Sequence, residues 1–206
     1  MTDTEHVTEP DVPPVPEYHP RPHPWIHWLG MGLVFLAVVA TFVFGNTDNH
    51  FANVAAKLLS NQIHSGALTA GILILLMVAW MDKSKVCAIR LTAVMLTETA
   101  IYGLIKVITW NGFHILARPS GKAGGFPSGH TAAWCALAYV LSERFPKLAP
   151  VFYTIAALVA WSRVEDGAHF DYQVAAGAVL GFGVAIALTP RFPRPVHTRP
   201  EKTATS

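Results

Sequence analysis

Phe126-Pro127-Ser128-Gly129-His130-Thr131 stands between a glycine-rich loop, residues 121–125, and an apolar run, residues 132–141. That change in composition predicts a helix that starts at or just after Ser128, with Ser128 as candidate N-cap. The first amides of such a helix lack intrahelical acceptors, and the helix dipole adds positive potential at the same end. A phosphate suits that end. His130 lies on the same turn, and a histidine there can pass a proton to or from a group that the amides hold. Taken alone, the hexapeptide reads equally well as a capped helix start carrying an incidental histidine. The rest of the chain has to decide.

The chain has 206 residues, of which 52% are apolar and only 14% charged, and the charges are clustered between long uncharged runs. This is the composition of a membrane protein. A formal net charge of +2 with no dense basic face excludes a nucleic-acid footprint. Cys87 and Cys135 lack metal-ligand spacing. Cys87 falls in a charged loop and Cys135 in an apolar helix, so two inert thiols are expected rather than a disulfide. Residues 1–24 hold seven prolines, five acidic residues and almost no aliphatic side chains, which predicts a disordered tail. Without a basic n-region that tail is not a signal peptide.

Residues 25–44 form a first span, close to the roughly 20 residues that cross a hydrocarbon core. Trp25 and Trp28 stand at its start, where interfacial aromatics belong. In the polar connection 46–65, Phe51, Val54, Ala55, Leu58 and Leu59 share one helical face. That spacing fits a short amphipathic helix, either on the membrane surface or packed on protein. Further spans cover 66–81, 91–110, the hexapeptide to about Glu143, 148–161 and 172–188. The third carries Glu98 and Lys106. Ionisable groups at membrane depth face a bundle interior or a wet cavity, although a lysine near a span end can also snorkel.

The expected fold is therefore all-α: a six-span transmembrane helical bundle over residues 25–190, with a proline-rich tail at 1–24 and a basic tail at 191–206. Six spans put both termini on one side. Arg191, Arg194, Arg199 and Lys202 follow the last span, Lys83, Lys85 and Arg90 the second, and Arg144 and Lys147 the fourth. The positive-inside rule makes these segments, and so both termini, cytoplasmic. Arg118, Arg163 and the surface end of the third span, with Lys106, then share the extracytoplasmic face with His130 and His169. Three cations, a helix N-terminus and two histidines make an oxyanion site with a base and an acid. Phosphoryl transfer needs these parts.

Arg118-Pro119, then Pro127-Ser128-Gly129-His130, then Ser162-Arg163 with His169 beyond, resemble the three-part signature of the type 2 phosphatidic acid phosphatases. These are integral-membrane phosphatases of lipid phosphates. Three parts in order are far more specific than any one of them. Two positions depart from the pattern. The lysine expected six residues before Arg-Pro is Asn111 here. Lys106 lies five residues further back, as if followed by an insertion, and Lys122 is a second candidate. The aspartate usual four residues after the last histidine is Gln173, while Asp171 lies out of register.

The resemblance implies the following roles. His169 attacks phosphorus and forms a phosphohistidine. Lys106, Arg118 and Arg163, with the amides at Ser128 and Gly129, hold the phosphoryl oxygens. His130 protonates the leaving oxygen and then activates water. Gln173 orients His169, and aspartate is expected to be tolerated at that position. No metal and no cofactor are called for, since the cations neutralise the charge. Glu165 and Asp166 would face solvent or pair with Lys122 or Arg118. The expected partners are the bilayer and a lipid phosphate or diphosphate, in a bacterial inner or plasma membrane. Neither the oligomeric state nor the particular lipid is encoded in these motifs. Two other readings remain open at this level: a lipid phosphotransferase using the same phosphohistidine, and a non-catalytic lipid-phosphate binder or transporter with a decayed site.

Overall fold

The computed structural model describes residues 24–44, 49–62, 77, 86–110 and 116–189. The expected second span at 66–81 and both tails lie outside the described residues, apart from Met77. Among the described residues the fold is all-helical. The helices are α1 (Pro24–Phe44), α2 (His50–Gln62), α3 (Val86–Trp110), α4 (Gly129–Arg144), α5 (Ala149–Glu165) and α6 (Asp171–Leu188), with a 3₁₀ turn, Pro146–Leu148, before α5.

Three of these are long and apolar enough to cross a membrane: Trp25–Phe44, Cys87–Thr109 and Asp171–Leu188. The other two bundle helices, α4 and α5, have 16 and 17 residues. They form the interior wall on which the rest pack. α4 lies against α3, α5 and α6, and α5 also receives α1 and α2.

The core is built from small side chains. Ala132, Ala136, Ala138, Ala156 and Ala160 are all at or below 1% exposure, while Trp28, Phe35 and Phe44 of α1 and Val179 of α6 are at least 70% exposed. Large apolar groups outside and small ones inside are what lipid solvent selects, since helices then associate by close backbone approach rather than by hiding oily side chains. The closest approach is between α4 and α6. A Cβ at Gly177 would lie 2.4 Å from Ser128 O, and one at Gly181 would lie 2.1 Å from Ala132 O. The Gly177-x-x-x-Gly181 pair thus lets α6 run directly along the start of α4.

Helix directions follow from which residues meet. α3 places Cys87, Leu91 and Val94 against Leu137, Val140 and Leu141 of α4 and Val184 and Ala185 of α6. Its later residue Tyr102 meets Gly129 at the start of α4. α3 is therefore antiparallel to α4 and α6. α1 meets α5 at Gly30 with Tyr153 and again at Val38 with Ala160 and Val164, so those two are parallel. The C-terminal ends of α1, α3 and α5 and the N-terminal ends of α4 and α6 share one end of the bundle, where the motif residues lie. α1 begins and α6 finishes at the other.

Two local expectations are corrected. Cys87 is not in a charged loop. α3 starts five residues earlier than the apolar run implied, and Cys87 is 6% exposed in the core. Glu165 does not face solvent but is 2% exposed, because α5 continues four residues beyond the expected end at 161. On α2, Phe51, Val54 and Leu58 remain exposed while Ala56, at 0%, faces protein. Glu98 is buried at 3%, and its Oε1 meets no donor among the described residues.

Candidate active site

Each motif residue is held by a specific local device. Arg118-Pro119-Ser120-Gly121 is a β-turn closed by Gly121 N–H donating to Arg118 O at 2.8 Å. Proline at its second position presets the backbone angle. Gly121 has φ of 76°, a left-handed value that favours glycine. Arg118 N–H then donates to Lys122 O at 2.9 Å, so the arginine stands on a doubly tied loop. The Lys122 residue itself is exposed.

Arg163 and His169 are spaced by the way α5 ends. Gly167 N–H donates to Val164 O at 2.9 Å and Ala168 N–H to Arg163 O at 3.1 Å, with Gly167 at φ 65°. This is a Schellman motif with glycine at C′. His169 N–H donates to the same Arg163 carbonyl at 3.0 Å, which fixes the histidine beside the last turn. The Arg163 residue is 3% exposed. Burial and the nearby charge of Arg118 lower its pKa, and Asp166 opposes that shift.

Ser128 occupies the N-cap position of α4 with extended backbone, but its side chain makes no capping bond. Its hydroxyl meets Thr131 Oγ1 at 3.0 Å instead. The amides of the first turn therefore keep their outward positive potential without a side chain across them. His130 is the second residue of that turn and half-buried.

The centre of the site is His169, 3% exposed. Its Nδ1 lies 2.9 Å from Gly125 O and 3.1 Å from Gln173 Oε1. Both are acceptors, so Nδ1 carries the proton and Nε2 holds the lone pair. The amide orientation of Gln173 is set by its other bonds: Phe170 N–H donates to Oε1 at 3.2 Å, and Nε2 donates to Ala117 O at 2.7 Å. His169 Nε2 makes no hydrogen bond to any described residue. Burial, reinforced by the charges of Arg163 and Arg118, lowers the His169 pKa to about 4, although the Gln173 bond works in the opposite sense. The ring is thus neutral at ordinary pH, and the charges of Arg163 and Arg118 act on it.

Gln173 links all three motifs. It is fully buried at N3 of α6, where a glutamine reaches back to the N-cap amide in the manner of a capping box. Its carbonyl oxygen accepts Ser128 N–H at 2.9 Å. Its side chain accepts from His169 and donates to the residue before Arg118. A Cβ at Gly125 would lie 2.7 Å from Gln173 Nε2 and 2.8 Å from Arg118 N, so glycine there is what lets these strands of chain meet. An aspartate could accept from His169 but could not donate to Ala117 O, and this revises the expectation that Gln173→Asp is tolerated. Asp171 is N1 of α6, where an acid complements the helix dipole; the ring bonds of His169 go to Gly125 and Gln173.

Lys106 is on α3, half-buried, with Nζ 4.5 Å from the centre of the Tyr102 ring. The structure thus brings Arg118, Arg163, His169 and Gln173 together, and carries Lys106 toward Gly129 on Tyr102. Sequence reasoning had missed Tyr102, although its place four residues before Lys106, on the same helical face, was a usable signal. Among the described residues no three His, Cys, Asp or Glu side chains converge on one point.

The profile of the PAP2 superfamily matches residues 88–196. The chain belongs to the PAP2 superfamily. The matched region contains every motif residue named above. The chain is also 35% identical over 68 residues to an acid phosphatase of Zymomonas mobilis, a match covering 33% of this chain and 26% of that protein. It thus spans about a quarter of the relative it matches. No solved structure matches the chain. The three long apolar helices accord with a membrane protein.

Proposed function

We propose that the protein is an integral-membrane phosphatase that hydrolyses a lipid phosphate or diphosphate through a phosphohistidine. The observation that carries this reading is the state of His169: Nδ1 is tied to two acceptors, Nε2 makes no hydrogen bond to a described residue, and the ring is neutral within the field of Arg163 and Arg118. In the proposed first step Nε2 bonds to phosphorus while the bond to the leaving oxygen breaks, and His130 gives that oxygen a proton. In the second, a water oxygen attacks phosphorus, its proton passes to His130, and the P–N bond breaks. Arg118, Arg163, Lys106 and the Gly129 amide at the start of α4 stabilise the equatorial oxygens, whereas the Ser128 amide, expected to join them, is already taken by the Gln173 carbonyl at 2.9 Å. Gln173 keeps the His169 ring in its tautomer.

A lipid substrate is supported by the exposed apolar surface of α1, α3 and α6 and by the exposed Phe51, Val54 and Leu58 of α2, a helix that follows the site end of α1. We read the whole chain as six spans with both termini cytoplasmic and the site extracytoplasmic, on the basis of its loop charges. A cysteine placed at Gly121 should then react with an impermeant reagent added outside intact cells. Labelling only after the membrane is opened would invert that topology. The reaction is tested by phosphate release from a panel of lipid monophosphates and diphosphates, using purified protein in detergent with chelator present. Release should persist with chelator and pass through an acid-labile phosphoenzyme. No release from any member of the panel would remove the reading.

A further inference from the structure

Four features of α3 point the same way. Leu91, Val94 and Glu98 are buried at 3% exposure or less, and Tyr102 and Lys106 continue that face at four-residue steps toward the site. Tyr102 stands against the first residue of α4: a Cβ at Gly129 would lie 2.6 Å from its Cζ and 2.9 Å from its hydroxyl oxygen. The Lys106 ammonium lies 4.5 Å from the centre of that same ring. Finally, the Tyr102 hydroxyl makes no hydrogen bond to any described residue, so the ring rather than the hydroxyl makes the contacts that hold this corner.

A lysine ammonium is a compact, strongly hydrated charge on a flexible stem, and holding it at one point costs side-chain entropy. An aromatic face within about 6 Å attracts it and limits where it can go. The need is acute here because Lys106 and Arg118 come from separate elements, so nothing in the backbone of the Arg118 turn positions the lysine. We propose that Tyr102 is a positioning residue for phosphate binding, whose ring seats the Lys106 ammonium over the N-terminus of α4, and that Gly129 is small so that this ring can reach there. The proposal rests on the phosphatase reading above. It assigns the third cation to Lys106 rather than to the exposed Lys122, whose backbone carbonyl accepts Arg118 N–H.

The test is a double-mutant cycle on purified protein, read as KM for the best lipid phosphate and as the inhibition constant of orthovanadate, a phosphate-shaped probe that needs no turnover. Tyr102→Leu should raise both roughly three- to thirtyfold, the range of a partly desolvated cation–π contact, with kcat changed less. Tyr102→Phe keeps the ring and should restore most of the lost affinity. Lys106→Met should weaken vanadate on the order of tenfold or more, through loss of a charge-assisted contact. In the Lys106→Met background, Tyr102→Leu should add nothing further, whereas a merely structural tyrosine would lower affinity equally in both backgrounds. Additive losses, or a Tyr102→Phe variant as damaged as Tyr102→Leu, would overturn the proposal. If Tyr102→Leu does not fold, Tyr102→Trp is the alternative: it keeps an aromatic face and should hold vanadate more tightly than Tyr102→Met. Failure of the phosphatase reading is separately visible as a wild-type protein that neither releases phosphate nor binds vanadate.

Discussion

His27 and His169 lie at opposite ends of one helix bundle, buried at 7% and 3% exposure. His27 Nδ1 is 2.8 Å from Tyr153 OH, and Nε2 is 3.0 Å from Glu143 Oε1, an ion-pair distance whose angle falls short of a hydrogen bond. The ring also stacks on Tyr139, 4.5 Å between centroids. His169 has its two ring partners on one nitrogen, and they are a carbonyl and an amide. The difference lies in what each environment leaves over. Around His27 both nitrogens and one face are occupied, so the ring ties α1 to α4 and α5. Around His169 the scaffold fixes the ring through one nitrogen, and the other makes no hydrogen bond to a described residue. Burial is common to both and does not by itself mark function; the proposed role of His169 rests instead on the nitrogen that makes no bond to a described residue and on the two cations whose charges act on the ring.

The largest effect that would break this contrast is loss of the proposed nucleophile. His169→Ala should lower turnover on the order of 10⁴-fold or more while the protein still elutes as a folded species in detergent. His130→Ala should be severe on ordinary substrates, yet should still accumulate phosphoenzyme from a substrate with a good leaving group, because His169 remains. Rapid-quench labelling distinguishes the two. A His169→Ala protein as active as wild type would make His169 another structural histidine like His27.

The next effect sharpens what the partner of His169 does. The His169 pKa near 4 keeps the lone pair available at all pH values above it, so the acid limb of kcat/KM should fall near pH 4 rather than near the usual histidine value. Gln173→Glu keeps an acceptor at Nδ1 but adds negative charge, which favours imidazolium and raises the pKa. The acid limb should move to higher pH. The same change removes the donor to Ala117 O and sets oxygen against oxygen, so the Arg118 loop should shift and KM should rise roughly tenfold. A displaced limb with unchanged KM would mean that the Ala117 contact does not hold Arg118.

These two regions also differ in how legible they were. The helix at 128 and the Arg163–His169 spacing are local and could be read directly, because a Schellman turn fixes that spacing within seven residues. Gln173 looked like a weakened aspartate. Its second role is invisible in sequence because the acceptor, Ala117 O, is a backbone atom 56 residues away, and any residue type could supply it. Cys87 was misplaced for a related reason: nearby charges at 82–85 read as a loop, and only packing against α4 and α6 draws the helix start back to Val86. Nothing marked the His27 cluster, because its contacts join residues more than a hundred positions apart.

The smallest effect on catalysis is expected at that cluster, and it completes the comparison. His27→Ala removes one partner each from Tyr153 OH and Glu143, and the glycine at position 30, whose Cβ would lie 2.1 Å from the Tyr153 ring, brings no side chain to fill the gap. The loss is therefore one of hydrogen bonding and packing between α1, α4 and α5, worth roughly 1–3 kcal/mol, or a fall in Tm of about 2–10 °C in detergent. Turnover per folded molecule should stay within about twofold of wild type, since α4 carries no charged group between this end and His130 that could relay the change. Glu143→Gln should cost less than His27→Ala, because the amide can still meet Nε2 and Tyr153 keeps its bond. A His27→Ala protein with an unchanged Tm but a large fall in turnover would reverse the assignment, making His27 the histidine that serves the reaction from a distance.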